Sequence, residues 1–131
     1  MSENQSAASN TPANAPLELA YQSKRAQKEF GDLPERHRDR FTLNLGFILN
    51  RMVPLCDTKA LTSLGHGVYE LIKKGSPGYR VIYTTEVPGK IVVLHATEKT
   101  TNGSDRQIAN VVEERLKALR QTNAGKGKAK R

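Results

Sequence analysis

Six ionisable side chains stand out in residues 68–99 because they interrupt runs of β-branched and aromatic residues. They are, in chain order, Glu70, Lys73, Lys74, Arg80, His95 and Lys99. Arginine and lysine bind phosphate oxygens, and a histidine near neutral pH can accept or release a proton. These residue types predict a surface that faces a phosphate backbone, and RNA cleavage is the chemistry that such a surface would perform.

The segments that carry these side chains have the pattern of a three-stranded antiparallel meander. Apolar runs at 68–74, 79–84 and 91–99 are separated by two turns that contain proline and glycine. Because side chains alternate between the two faces of a strand, Glu70 and Arg80 are expected on one face in either register. An ion pair between them is the simplest structural role for Arg80, and it would leave spare N–H donors for phosphate.

Helical patterns flank this meander. A short strand at 17–21 and a basic helix at 23–30 come first, and a second helix is expected to use Asp32 as its N-cap. The predicted buried stripe of the second helix consists of Phe41, Leu45, Ile48, Leu49 and Met52. An amphipathic helix from Ser104 to Leu119 ends the domain. The prediction is an α+β fold, in which a small antiparallel sheet of three to four strands carries two N-terminal helices and a C-terminal amphipathic helix.

There are weaker reasons to assign a chemical role to the other histidines and to the single cysteine. His37 lies in the charged half of the second helix and is expected to be exposed and without a role. His66 lies between two glycines in a connector, 56–67, and is expected to be an ordinary loop histidine. Cys56 has no partner for an internal disulfide and no metal-ligand spacing around it, which favours the cytoplasm as the compartment.

Length and charge limit the class of protein. The 131 residues have room for one small domain, which we place at 17–120, between a disordered lead at 1–16 and a disordered basic tail at 121–131. No segment has the length and hydropathy of a membrane span or the pattern of a signal peptide. The net charge is +8, and residues 21–124 are basic without the termini. This excess favours a polyanionic partner such as nucleic acid, the ribosome or an acidic protein, although ordinary solubility is the alternative.

Three segments together resemble the RelE/ParE superfamily of small bacterial toxins, and most of all its HigB-type, phage-derived branch. They are 64–71, 78–83 and 91–96, followed by Lys99 and Thr101. The resemblance implies the RelE-like α+β fold. It also implies an endoribonuclease that cuts mRNA on the ribosome, without metal or cofactor, by making a ribose 2′-OH attack the adjacent phosphate. The implied partner is an antitoxin, often of the helix-turn-helix type.

The resemblance also implies roles for individual residues. Arg80 would bind the scissile phosphate, His95 would transfer a proton, and Lys99 would contact phosphate, which makes these three the catalytic set. The other implied roles are RNA binding by Lys73, Lys74 and Thr101 and orientation of Arg80 by Glu70. Two positions depart from the family pattern, because Thr97 replaces an aromatic residue and Thr100 replaces a second lysine. The changes remove a stacking surface and a cation.

Three functions remain open at this level. The leading one is the ribosome-dependent mRNA endonuclease. A non-enzymic toxin of the same fold that inhibits DNA gyrase would not need His95 or Lys99. A non-catalytic RNA- or protein-binding module is the third, and Thr97 and Thr100 are the residues that favour it.

Overall fold

The computed structural model describes residues 15–100 and 104–129, with side chains described for 15–100 and 105–122. In chain order the elements are β1 (Glu18–Tyr21), α1 (Lys24–Gly31), α2 (Glu35–Leu49), β2 (Asp57–Ala60), a 3-10 helix (Thr62–Leu64), β3 (Val68–Lys73), β4 (Gly78–Thr84), β5 (Lys90–Lys99) and α3 (Ser104–Ala129). The predicted α+β class is confirmed. None of the helices described is both long and apolar enough to cross a bilayer.

The sheet has five strands in the order β1-β5-β4-β3-β2. Strands β2 to β5 pair in antiparallel fashion, and β1 adds to β5 in parallel. The sheet is therefore mixed and has one strand more than the three to four expected. The additional strand is β2, which lies within the predicted connector. All four of its residues are exposed at the edge of the sheet, so it lacks the apolar alternation that would have revealed it.

Helices cover both faces of the sheet, so the core has two parts. On one face Phe30 of α1 and Phe41 and Leu45 of α2 are buried in the same cluster as Val81 and Val93. On the other face α3 contributes a buried stripe against the sheet; this cluster comprises Val68, Ile82, Leu94, Ile108, Val112 and Leu116. Polar side chains of the central strands therefore reach solvent only near strand ends or at the sheet edge.

The helix boundaries differ from the sequence prediction in three places. Helix α2 begins at Glu35 with Pro34 at the N-cap and no side-chain cap, so the prediction of Asp32 as N-cap was wrong. Asp32 instead ends α1: its backbone N–H donates to the Lys28 carbonyl at 2.8 Å, and its carboxylate pairs with Lys28 Nζ at 2.7 Å. Met52, expected in the buried stripe, follows the end of α2 and is 55% exposed. Helix α3 continues to Ala129, past the end of its apolar stripe.

A buried asparagine fixes the segment that follows α2. The side-chain amide of Asn44 donates to the Arg40 carbonyl at 2.8 Å, and its Oδ1 accepts the backbone N–H groups of Leu55 at 2.7 Å and Cys56 at 2.9 Å. Buried polar atoms are costly unless they are hydrogen-bonded, and here both ends of the amide are used. This one side chain therefore holds residues 55–56 against the helix.

Replacing this asparagine tests its role. Asn44→Ala leaves two backbone N–H groups without their acceptor, so we expect the free energy of unfolding to fall by about 1–3 kcal/mol. Chemical denaturation followed by circular dichroism measures the change. The matched control is Asn50→Ala, which removes an exposed amide that donates to the Gly46 carbonyl. An equal loss in both variants would show that Asn44 has no special role.

Candidate functional site

Arg80 lies on β4, opposite Ile72 of β3 and Thr97 of β5. Its side chain is only 12% exposed. Nη1 donates to the carbonyls of Lys73 at 3.2 Å and Tyr79 at 3.0 Å, and Nε lies 3.5 Å from Glu70 Oε2. The expected Glu70–Arg80 ion pair thus forms, and the guanidinium is held in one orientation. Its Nη2 makes no hydrogen bond to a described residue.

Glu70, the partner of Arg80, is itself buried on β3. Burial raises the pKa of its carboxyl group, while the positive charges of Arg80 and Lys59 act in the opposite direction. The cross-strand neighbour of Glu70 on β2 is Lys59, so two cations flank it. Glu70 is therefore placed to orient Arg80 rather than to contact a ligand directly.

The lysines of the predicted site surround the end of the β3–β4 hairpin. Lys99 pairs in register with Gly78, and its Nζ lies 2.7 Å from Asp105 Oδ1 at the start of α3. Lys73 Nζ donates to the Lys74 carbonyl at 2.7 Å, and Lys74 Nζ lies 3.5 Å from Asp57. Together with Glu70 and Arg80, these three lysines form what we call the hairpin-end cluster. Thr101, the remaining predicted RNA contact, lies outside the described residues.

His95 belongs to a different group of side chains. Its Nδ1 lies 2.8 Å from Oε1 of Glu29 on α1. Arg115 on α3 donates to both oxygens of the same carboxylate, at 2.7 Å and 2.8 Å, and also to the Leu94 carbonyl at 2.8 Å. We call Glu29, His95 and Arg115 the Glu29 cluster. His95 is 8% exposed and packs between α1 and α3.

The contacts of this cluster determine the proton positions. An ionised carboxylate only accepts hydrogen bonds, so Nδ1 of His95 carries the proton and Nε2 is the acceptor of the neutral ring. Burial lowers the pKa of His95, although Glu29 opposes this shift. For Glu29, burial would raise the pKa, but hydrogen bonds from Arg115 and His95 lower it to about 2. Glu29 is therefore ionised and His95 neutral at pH 7.

The two principal groups of the predicted site are thus in separate clusters. By register, Ile82 pairs with His95 and Arg80 pairs with Thr97, so Arg80 and His95 are on the same face of the sheet. The contacts of Arg80, however, are with β3 and β4, whereas those of His95 are with α1 and α3. No described residue contacts both. The His95 ring instead lines an open cavity of about 340 Å³ with Arg25 and Glu114.

The sequence alone did not predict the environments of Glu29, Arg115 and His37, which lie in or near these clusters. Glu29 occurs among many charged helix residues, and nothing in its local sequence distinguishes it. Arg115 falls at helical spacing within the apolar stripe of α3, which indicates the sheet-facing side of the helix but not its partner. The prediction that His37 is exposed and idle was wrong about its environment. Its ring stacks on Tyr79 with centroids 4.4 Å apart, and its Nδ1 is buried without a hydrogen-bond partner among the described residues. Tyr79 immediately precedes Arg80, so this stack lies under the hairpin-end cluster.

The chain matches a known protein family in sequence and is similar to a solved structure. The family model described as "Phage derived protein Gp49-like (DUF891)" matches residues 28–117, a range that contains both clusters. No curated protein matches the sequence significantly. A chain of the crystal structure of the toxin–antitoxin complex RelBE2 from Mycobacterium tuberculosis is similar with a TM-score of 0.46 and 19% sequence identity, over 66% of this chain and 95% of that chain.

The Glu29 cluster predicts a loss of stability in acid. The pKa of Glu29 is about 2 in the folded protein and about 4.3 in an unfolded chain, so the unfolded state binds the proton first as the pH falls. The stabilisation is complete above about pH 5 and is lost towards about pH 2. The lowered pKa of His95 acts with the same sign below its ordinary value of about 6.5. Denaturation midpoints measured between pH 7 and pH 2.5 would show this fall.

Glu29→Gln tests the origin of this pH dependence. The variant should be less stable at pH 7, because Arg115 and His95 lose their anionic partner, and its stability should change less below pH 5. Glu113→Gln is the control, since Glu113 is an exposed glutamate of α3 outside the cavity that His95 lines. An unchanged acid slope in Glu29→Gln would assign the pH dependence to other carboxyl groups.

Proposed function

Since the chain belongs to the family of phage-derived Gp49-like proteins, we propose that it is the toxin of a type II toxin–antitoxin system and cleaves mRNA on the ribosome. The substrate class follows from the basic excess of the chain and from the resemblance of residues 64–101 to HigB-type toxins. In this proposal an antitoxin, typically of the helix-turn-helix type, keeps the protein inactive in the cytoplasm.

The observation that carries the proposal is the fixed orientation of Arg80. Two backbone carbonyls and the buried carboxylate of Glu70 hold its guanidinium before any ligand arrives. When a 2′-oxygen attacks phosphorus, negative charge grows on the non-bridging phosphate oxygens. A donor that is already in place stabilises this charge without reorganising, and such stabilisation is often the largest single contribution to catalysis.

The lysines of the hairpin-end cluster would hold the RNA backbone beside Arg80. The Asp105 side chain that pairs with Lys99 is 65% exposed, so this ion pair is weak and a phosphate can replace the carboxylate. Lys73 and Lys74 lie at the other side of the hairpin end. By register Lys99, the partner of Gly78, is on the face of Arg80, whereas Lys73, the partner of Tyr79, is on the opposite face. In the proposal these cations contact successive phosphates of a strand that passes the hairpin end.

The reaction also needs two proton transfers. O2′ loses its proton as it bonds to phosphorus, the P–O5′ bond breaks, and O5′ takes up a proton, which leaves a 2′,3′-cyclic phosphate and a free 5′-hydroxyl. In the proposal the neutral His95, with Nε2 as acceptor, accepts the first proton and then releases it to solvent water, which protonates O5′. Glu29 acts as a positioning residue because it sets this tautomer.

One observation favours a second candidate, a protein that acts by binding and not by catalysis. It would be either a toxin of the same fold that inhibits DNA gyrase or a non-catalytic RNA- or protein-binding module. His95 is committed to Glu29 and is not in contact with the hairpin-end cluster. A binding protein would use the basic surface and would need no proton acceptor. The two candidates make different predictions for His95.

Substitution of Arg80 tests whether its guanidinium stabilises the phosphate during cleavage. Arg80→Ala is expected to lower the rate of mRNA cleavage about 10²–10³-fold and to abolish growth arrest, because one preorganised donor is lost. Arg80→Lys keeps the charge but not the planar fork, and should restore only part of the activity. Growth after induction and mapping of mRNA 5′ ends measure both effects. Lys117→Ala removes an exposed cation of α3 and is the charge control. Full toxicity of a folded Arg80→Ala protein would contradict the proposal.

His95→Asn separates the nuclease from the binding protein. The asparagine amide can still donate to Glu29 as Nδ1 does, but it has no group in place of Nε2. Under the nuclease proposal cleavage falls about 10²-fold or more while the thermal midpoint changes little. Unchanged growth arrest with intact mRNA and damaged DNA would indicate gyrase inhibition. Binding of RNA without growth arrest would indicate the non-catalytic module.

A further inference from the structure

Exposed apolar side chains lie on α2, at Leu43, and in the segment that follows the helix, at Met52, Val53 and Leu55. Leu43, Met52, Val53 and Leu55 are each between 55% and 84% exposed, and we call them the α2 patch. Among the described residues, one other large apolar side chain, Leu19, is exposed, at 39%. Isolated exposed apolar residues are common, but these four lie within thirteen residues of sequence and two of them, Leu43 and Leu55, line the same groove, which marks an interaction surface.

The patch borders a groove with basic walls. Leu43 and Leu55 line an open cavity of about 470 Å³, and its remaining lining residues are Arg36, Asp39, Arg40, Asn44 and Cys56. Arg36 and Arg40 lie one turn apart on α2, and neither makes an ion pair with a described residue. An apolar centre with a positively charged rim is therefore exposed on this side of the molecule.

The groove is formed before any partner binds. The backbone N–H groups of Leu55 and Cys56 both donate to the buried Asn44, which fixes the segment that displays Leu55. A leucine on a mobile loop could turn inward, whereas this one stays 74% exposed on a fixed backbone. A rigid surface of this kind binds with little loss of conformational entropy.

We propose that the α2 patch is the docking site for an amphipathic helix of a partner protein whose flanks are acidic. Leucines spaced along one helix face would fill the space between Leu43 and Leu55, as in helix-in-groove recognition. Carboxylates beside that face would pair with Arg36 and Arg40. The docking surface is independent of the toxin assignment; only the identification of the partner as the antitoxin rests on the proposed function.

Charge and composition favour this occupant over two others. A second copy of the chain carries a net charge of +8 and would bring the same pair of arginines to the interface. Residues 1–14 of the chain contain one large apolar residue, Met1, which is too little to cover four side chains. An acidic helix supplies both the apolar contact and the opposite charge.

A designed peptide tests the surface directly with the full chain. The probe is an 18-residue helix with leucines on one face and glutamates on the rest, and the matched probe has lysines in place of the glutamates. We expect the glutamate peptide to bind at least ten times more tightly in fluorescence anisotropy. Amide chemical shifts should change at residues 36–44 and 52–56. Leu55→Ser should weaken binding at least tenfold, while the control Leu19→Ser should not.

Other results would overturn the proposal. Equal affinity for both peptides would remove the charge argument, and shifts confined to the hairpin end would show adsorption to a basic surface. A dimer in sedimentation that Leu55→Ser dissociates would make a second copy the occupant. Shifts at residues 1–14 in free Leu55→Ser would make the lead the occupant. Growth arrest reports on the proposed function and not on peptide binding, so failure of one proposal is distinguishable from failure of the other.

Discussion

The carboxylate of Glu29 is the point at which three elements of the fold are joined. It accepts two hydrogen bonds from Arg115 of α3 and one from His95 of β5, while Glu29 itself belongs to α1. A charge in a partly buried position is tolerated only when it is paired, and removing one member leaves the others uncompensated. Helices α1 and α3 pack on opposite faces of the sheet, so this cluster connects the two layers around the sheet edge.

The short length of β1 determines where the Glu29 cluster can form. Pairing of β1 with β5 ends at Tyr21 and Val93, so the outer edge of β5 has no strand partner beyond that point. The pairing of β5 with β4 also shifts by one residue between Val93 and His95. Such a bulge bends the strand and redirects side chains. His95 therefore reaches α1 at the open edge, while Thr97 remains opposite Arg80 in the regular part of the ladder.

Local sequence patterns predicted the elements in which the residue types themselves indicate which side chains are buried. The apolar alternation of β3, β4 and β5 placed Glu70 and Arg80 on one face, and their ion pair formed as expected. The same reasoning could not predict β2, whose residues are all exposed, or the parallel addition of β1. Glu29, Asn44 and Arg115 act through contacts with residues distant in sequence. Periodicity indicates which face a residue occupies but not which polar partner it meets, so these contacts needed the structure.

His37 on α2 follows Arg36 of the groove in sequence, and its ring stacks on Tyr79, the register partner of Lys73 in the hairpin-end cluster. Burial is the main cause that lowers the pKa of His37, and the positive charges of Lys73, Arg36 and Arg40 act in the same direction, so cations of the groove and of the hairpin end lie around one ring. Charges separated by less than the Debye length of about 8 Å at physiological salt act on one another. A partner that brings carboxylates to Arg36 and Arg40 therefore lowers the positive potential around His37, whose ring stacks on the register partner of Lys73. If the hairpin end binds RNA as proposed, docking on α2 would weaken that binding without covering Arg80, because the attraction between a basic surface and the RNA backbone is electrostatic.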